Sequence, residues 1–419
     1  MNNFYEDRET RSRAEREADL MARLPQQIAH AQQNSRAFAA ILQGVDAASI
    51  TSREALAALP VTRKYELLER QQAERSKATG SGVFGGFNAV PFGSGMPRMF
   101  ASPGPIYEPE GKRPDYWRMA RAIYAAGFRA GELVHNSFSY HFVPAGSMME
   151  SGAQALGATV FPAGTGQTEQ QVQAMSDLKP HGYIGTPSFL KIILEKAEAQ
   201  GQKIASVTKA LVSGEACPPS LRDWFASHGV AAYQCYATAD LGLIAYETSA
   251  REGLVLDEDV IVEIVRPGTG DPVPEGEVGE LVVTTLNPDY PLIRFGTGDL
   301  SAVLPGACPT GRTNTRIKGW MGRADQTTKV RGMFVHPGQV AEVVKRFPQV
   351  EKARLVVTGA MANDQMTLQV ETRELGAGLA EQIADAVREV TKLRADVALL
   401  MPGELPNDGK VIEDARSYA

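Results

Sequence analysis

The residues with the clearest chemical reading close the run Pro291-Leu-Ile-Arg-Phe-Gly-Thr-Gly-Asp299. An apolar strand end leads into Gly-Thr-Gly-Asp. The glycines permit close backbone approach, and the aspartate can accept protons from two adjacent hydroxyls such as those of a ribose. Alone, the tetrapeptide also reads as an ordinary turn. A second reactive group is Lys410, in Leu405-Pro-Asn-Asp-Gly-Lys410. By itself a lysine in such a run is a solvated turn residue. A third feature is a whole segment. Gly80 to Pro114 holds eight glycines and six prolines, so neither regular helix nor a central strand fits it. Long ordered loops often carry function, with a flexible surface excursion as the plain alternative.

These groups need elements to hold them. The chain has 419 residues, a formal net charge of −6, 43% apolar residues and 22% charged ones. That is enough apolar surface to exclude disorder as the main state and to fill two or three structural units. Mild acidity with interspersed signs argues against a nucleic-acid partner. The lack of a long apolar run argues against a membrane span, and the charged opening stretch does not read as a signal peptide. Three cysteines, Cys217, Cys235 and Cys308, are too few and odd in number for a disulfide framework, so a cytoplasmic location is expected.

Residues 11 to 43 have helical periodicity through Leu20, Leu24, Ile28 and Ala31, and Ser52 is placed to cap another helix. From Arg113 to Pro187 helices and short apolar strands alternate, which predicts a mainly parallel sheet covered by helices, with Lys209–Ser213 as another strand candidate. Helix is expected over 116–126, 145–156, 169–178 and 188–200, and strand over 132–138, 158–161, 182–184 and 209–213. After Gly253 the runs at 260–265 and 280–285, split by a turn-rich stretch, predict antiparallel β structure. The tail predicts helices at 338–346 and 379–393 and strands at 353–357, 366–371 and 397–400. The fold class is therefore α/β: a large N-terminal α/β domain, mainly parallel with an antiparallel region, over 1–324, and a small C-terminal α+β domain over 325–419.

The chemical groups lie within an ordered series. Leu59-Pro-Val-Thr-Arg-Lys64 comes first. Gly270-Asp-Pro-Val-Pro-Glu-Gly-Glu-Val-Gly-Glu280 and the run ending at Asp299 follow. Gly311-Arg-Thr313, Arg316-Ile-Lys-Gly319, Gly322-Arg-Ala-Asp325, Lys329-Val-Arg-Gly332 and the Lys410 motif complete it. Over nearly the whole chain this series resembles the phenylacetate–CoA ligase branch of the adenylate-forming enzymes. The resemblance implies two half-reactions. A carboxylate attacks the α-phosphorus of ATP to give an acyl-adenylate; the small domain then rotates, and the thiol of coenzyme A displaces AMP. It implies ribose contact by Asp299, adenine contact by Gly214, Glu215, Tyr236 and Ala237, and phosphate or ribose contact by Arg312 and Arg323. It makes Lys410 the catalytic lysine of the first half-reaction. It also implies a small-molecule carboxylic acid as substrate, Mg²⁺ carried with the nucleotide, and a homodimer.

The same resemblance exposes departures. The family's phosphate loop, Ser-Ser-Gly-Thr-Thr-Gly-x-Pro, corresponds to Ser102-Pro-Gly-Pro-Ile-Tyr-Glu-Pro109. Ser102 and Gly104 remain as nucleotide candidates, but Pro103 and Pro105 carry no N–H, and Glu108 adds negative charge. The loop is either a weakened phosphate cradle or a rigid structural turn. Asp240 replaces the family's glutamate and keeps a carboxylate for Mg²⁺. Cys308 stands without the further cysteines and histidines of a zinc site, so no zinc is expected. For the acid pocket the candidates are Phe138, Tyr140, His141, Gly185 and Thr186, with Phe142 as a further wall. The reading is an AMP-forming acyl–CoA ligase for an aromatic or similar acid. The alternatives are an adenylating enzyme with a non-CoA acceptor, or a degenerate relative that binds nucleotide or acyl–CoA without ligation.

Overall fold

The computed structural model describes residues 3–77, 82–324, 326, 328–330, 333–359 and 364–416. Asp325, where the expected domain boundary falls, and Arg331-Gly332 lie outside them. The chain divides into two compact units. The first comprises Met1–Glu263, Val282–Thr297 and Val303–Trp320; the second comprises Ile264–Leu281, Gly298–Ala302 and Met321–Ala419. Among the described residues no helix is long and apolar enough to cross a membrane.

The first unit is built on a nine-stranded sheet. Its strands run in the order Val303–Leu304, Arg316–Ile317, Leu254–Leu256, Gly242–Glu247, Ala231–Thr238, Lys209–Val212, Gly182–Gly185, Leu133–Asn136 and Thr159–Pro162. The last five are parallel. The remainder are antiparallel. This is the expected arrangement, and helix–strand alternation is its cause, because a parallel pair needs a crossover that covers a sheet face. Helices Ala145–Ala155, Thr168–Leu178, Pro187–Ala199 and Pro219–Ser227 supply those crossovers. A smaller sheet has the order Thr62–Arg63, Phe295–Ser301, Gly279–Thr285, Val260–Val265.

Local chemistry explains where the elements stop. Arg13–Asn34 begins at Ser12, whose hydroxyl accepts from Glu15 N–H while the Glu15 carboxylate accepts from Ser12 N–H at 2.8 Å. Its buried stripe Leu20, Leu24, Ile28 and Ala31 packs with Val260, Val283, Leu292 and Phe295. The single helical run expected over 11–43 breaks at Ser35, which accepts from Phe38 N–H and donates to Gly86 O, starting a second helix, Arg36–Ile41. Ser52 caps Arg53–Ala57 as expected. The helix expected from residue 116 is confined to Ala120–Ala125. Asp115 and Arg118 have φ of 46° and 63°, and the Asp115 carboxylate accepts from Met119 and Ala120 N–H at 2.8 and 3.0 Å. The aspartate thus starts the helix later than periodicity suggests.

In the second unit helices Pro337–Lys345 and Ala377–Thr391 cover a sheet of order Asp396–Leu400, Gln365–Thr372, Val350–Thr358, Ile412–Asp414. Val340, Val343, Leu355, Leu368, Ile383 and Val387 form its core. The strand Ile412–Asp414, parallel to Val350–Thr358, is not expected from sequence; its three residues are too short to give a periodic signal.

Candidate active site

The Gly/Pro-rich segment folds into a hairpin. Arg98–Ser102 pairs antiparallel with Ile106–Glu110, with Ser102 opposite Ile106. Its turn is seated on helix Lys64–Arg75: Gln71 accepts from Tyr107 N–H and donates to Tyr107 O, both at 2.8 Å, and Ile106 is buried. Glu108 is fully buried at 0% exposure, and Ser102 is buried at 5%. Ser102 N–H donates to one Glu108 carboxyl oxygen at 3.3 Å, and the Ser102 hydroxyl donates to the other. Of the two alternatives left by the sequence, this packing has the character of a built structural turn.

Asp240 belongs to the same neighbourhood. It lies on the turn between strands Ala231–Thr238 and Gly242–Glu247, where a register shift falls between Tyr236 and Ala237. Such bulges re-aim side chains at strand ends. Asp240 is buried, and Lys64 Nζ lies 2.9 Å from its Oδ2. Its Oδ1 is buried, with no hydrogen-bond partner among the described residues. Burial first, and then the charge of Asp240, push the Glu108 carboxyl up to about 8, against the Ser102 bonds and Lys64. The Tyr290 hydroxyl is likewise buried without a partner among the described residues, and burial, then Asp240 and Glu108, push it up. Lys64 ends the quoted Leu59–Lys64 motif, but nothing in the sequence says that it meets Asp240, 176 positions away.

A second group gathers at the carboxyl ends of the parallel strands, the usual ligand position in such sheets. Gly214 has φ +83°, and a Cβ there would lie 3.7 Å from both Phe138 and Thr186. Phe138, Thr186 and Gly214 therefore lie close together. Thr186 caps helix Pro187–Ala199 by accepting from Phe189 N–H. Beneath it the Ser137 hydroxyl donates to Tyr183 Oη, which donates to Thr186 O at 3.1 Å. This buried relay carries no sequence signal. Asn136 donates to Tyr140 Oη at 2.8 Å and to Gly146 O at 2.9 Å, tying the 138–146 loop together. The Tyr140 phenol is pushed up by burial and then by Glu150. Glu215 accepts from the Ser188 hydroxyl and is exposed.

Two expectations need correction. Phe142 is 83% exposed with φ +62°, and His141 is exposed beside it, so neither walls a buried slot. The cause is the backbone: Phe142 O accepts from Ala101 N–H at 2.8 Å, which turns the side chain outward. Arg312 is not free for a nucleotide. It is buried at 5%, and its guanidinium donates to Glu9 at 2.6 Å, to Thr310 at 3.2 Å and to Asn3 O at 3.1 Å. Glu9 also accepts from Tyr246, so this arginine closes a buried ion pair with the N-terminal turn. Cys308 Sγ lies 3.1 Å from Thr310 Oγ1.

Within the second unit the remaining candidates come together. Arg323 Nη1 donates to Asp299 Oδ1 at 3.0 Å, and the two residues form a backbone bridge. Gly298 has φ +72°, a conformation that favours glycine, and a Cβ there would stand 2.7 Å from Arg323 Nη2. Gly409, next to Lys410, would place a Cβ 2.6 Å from Val278 and 3.3 Å from Leu300, the neighbour of Asp299. Gln326 donates to Gly409 O and accepts from Val411 and Ile412 N–H. Arg354, itself buried, donates to Lys410 O at 3.2 Å and to Pro406 O at 3.1 Å, and pairs with Asp408. The Lys410 ammonium is left half-exposed, 3.6 Å from Glu413. Sequence reading found Lys410 but neither Gln326 nor Arg354, because both act from distant elements.

The fold and this set of groups define an adenylate-forming enzyme. A family described as AMP-binding enzyme matches residues 117–287, and one described as AMP-binding enzyme C-terminal domain matches 332–414. The chain is 30% identical over 402 residues to the phenylacetate-coenzyme A ligase of Thermus thermophilus, covering 87% of both proteins. It is 32% identical over 383 residues to that of Aromatoleum evansii, covering 87% of this chain and 83% of the relative. A solved 2-hydroxyisobutyryl-CoA ligase, in an open conformation with 2-HIB-AMP and CoA, superposes with a TM-score of 0.73 at 25% identity, over 97% of this chain and 92% of that one. The chain belongs to the AMP-binding enzymes, in the phenylacetate–CoA ligase branch, and is an AMP-forming acyl–CoA ligase of that family.

Proposed function

We propose that the enzyme activates an aromatic or similar organic acid with ATP and transfers the acyl group to coenzyme A. The observation that carries this reading is the arrangement in the second unit, where a carboxylate paired with Arg323 and an anchored lysine segment are held by Gly298, Gly409, Gln326 and Arg354. A pure binder has no need to order Lys410 in this way. Asp299 accepts hydrogen bonds from the ribose hydroxyls, and Arg323 orients Asp299. Gly214, Glu215, Tyr236 and Ala237 border the adenine. Phe138, Tyr140, Gly185 and Thr186 wall the acid, the aromatic rings favouring a flat apolar substituent. Lys410 supplies positive charge to the α-phosphate as the acid oxygen attacks.

Mg²⁺ travels with the nucleotide in this reading. The buried Oδ1 of Asp240, unpartnered among the described residues, fits such an ion, since a hard cation takes carboxylate oxygen. Residues 325–419 act as a lid that turns between half-reactions, in a homodimer working in the cytoplasm; the three buried free cysteines are compatible with a reducing location. The test is ATP–pyrophosphate exchange across a panel of aromatic and aliphatic acids, followed by thioester formation with coenzyme A. Acid-dependent exchange and thioester together support the reading. Exchange without thioester selects a non-CoA acceptor. Nucleotide binding without exchange selects the degenerate binder, the reading favoured by the rebuilt hairpin.

A further inference from the structure

Among the hairpin's backbone donors, Pro103 and Pro105 have no N–H, Tyr107 N–H is given to Gln71, and Ser102 N–H is given to Glu108. The Ser102 hydroxyl is given to Glu108 as well. A carboxyl group thus already holds the two donors of Ser102, and it does so out of solvent, at 0% exposure. Around it stand a second carboxylate, Asp240, with Lys64 at 2.9 Å, and the Tyr290 hydroxyl. A polyphosphate at this hairpin, the position that the family resemblance gives to the phosphate loop, meets Ser102 donors that Glu108 already holds.

We infer that Glu108 is an internal occupant of the hairpin's anion-binding groups, so that this enzyme recognises its nucleotide through the adenosine and α-phosphate and gains little from the β- and γ-phosphates. Glu108 is then a specificity-determining residue that narrows the preference for a triphosphate over a monophosphate. The inference rests on the nucleotide-binding reading above, and the two can fail separately.

The experiment is calorimetric titration of the full-length enzyme with AMP and with ATP–Mg²⁺, for the wild type, Glu108→Ala and Glu108→Gln. Wild-type affinities for AMP and ATP are expected within about threefold of each other, since the shared part of the ligand makes the contacts. Glu108→Ala frees Ser102 and is expected to tighten ATP about tenfold or more with AMP changed less than twofold. Glu108→Gln keeps a group of the same shape on Ser102 and is the folding control; its AMP affinity should match the wild type. A wild type that binds ATP more than tenfold tighter than AMP overturns the inference, and this measurement needs no variant. So does a folded Glu108→Ala whose ATP affinity does not rise. Failure of the wild type to bind AMP at all overturns the nucleotide reading instead.

Discussion

Replacing Lys410 by alanine separates catalysis from folding. The segment around it is held through backbone atoms: Arg354 donates to Lys410 O at 3.2 Å, and Lys410 N–H donates to Asp408 at 3.1 Å. Alanine keeps both bonds. What it removes is an ammonium 3.6 Å from Glu413, with the two side chains 44% and 33% exposed. A screened pair of that kind is worth about 0.2–1 kcal/mol at most. Thermal unfolding should therefore move by no more than about 2–4 °C for a protein of this size. Loss of one preorganised group at the transition state costs about 2.7–4 kcal/mol, so acid-dependent pyrophosphate exchange should fall about 10²–10³-fold. Substrate affinities should hold, because the contact develops only in the transition state. Thioester formation from a supplied acyl-adenylate should also hold, because that step makes no pentacovalent phosphorus. Equal loss in both half-reactions would point to a docking or folding defect and refute the argument. No loss in either would remove Lys410 from the chemistry.

Asp299→Ala should raise the ATP KM by about 10–100-fold, the cost of hydrogen bonds to a charged group at about 1.5–3 kcal/mol, and an unchanged KM would take Asp299 out of the site. Restoring the family's residues with Pro105→Thr, Ile106→Thr and Tyr107→Gly should lower the melting temperature without improving ATP binding, because Ile106 is buried at 2% and the turn is tied to Gln71; the buried isoleucine alone contributes about 2–4 kcal/mol. A gain in ATP-induced melting shift would count against that reading. Glu108 gives a pH effect. Its folded pKa is raised from 4.5 to about 8, so the folded state binds the proton more tightly, and stability falls as pH rises from about 4.5 through about 8. Denaturant midpoints at pH 5.5 and 9 should then differ more for wild type than for Glu108→Gln; parallel curves would show that the carboxyl is not buried as a neutral acid.

The parallel sheet was legible because each strand is a short apolar run between amphipathic helices, as at Gly182–Gly185 between Thr168–Leu178 and Pro187–Ala199. Motif order carried the family; Gly298 and Gly409 within those motifs have φ of +72° and +71°, conformations that favour glycine. What escaped was pairing across distance. Arg312 looks like a phosphate ligand in Gly-Arg-Thr until Glu9, 303 positions earlier, claims it. Glu108 reads as a charge beside a phosphate until burial and Ser102 turn it into an internal ligand. Phe142 reads as a pocket wall until a single backbone bond to Ala101 faces it to solvent. Side-chain type and local period set the first kind of feature; only the folded path of the backbone sets the second.

Gln326 has a mechanical consequence. Its amide donates to Gly409 O and accepts from Val411 and Ile412 N–H, three bonds of about 0.5–1.5 kcal/mol each. It behaves as a latch that fastens the beginning of the small domain's chain to its last strand. A torsional change after Gln326 would tear the latch, whereas one before it leaves the latch closed. On the proposed rotation of the small domain, the bonded segment from Gly409 to Ile412, with Lys410 inside it, travels with Gln326 as one piece.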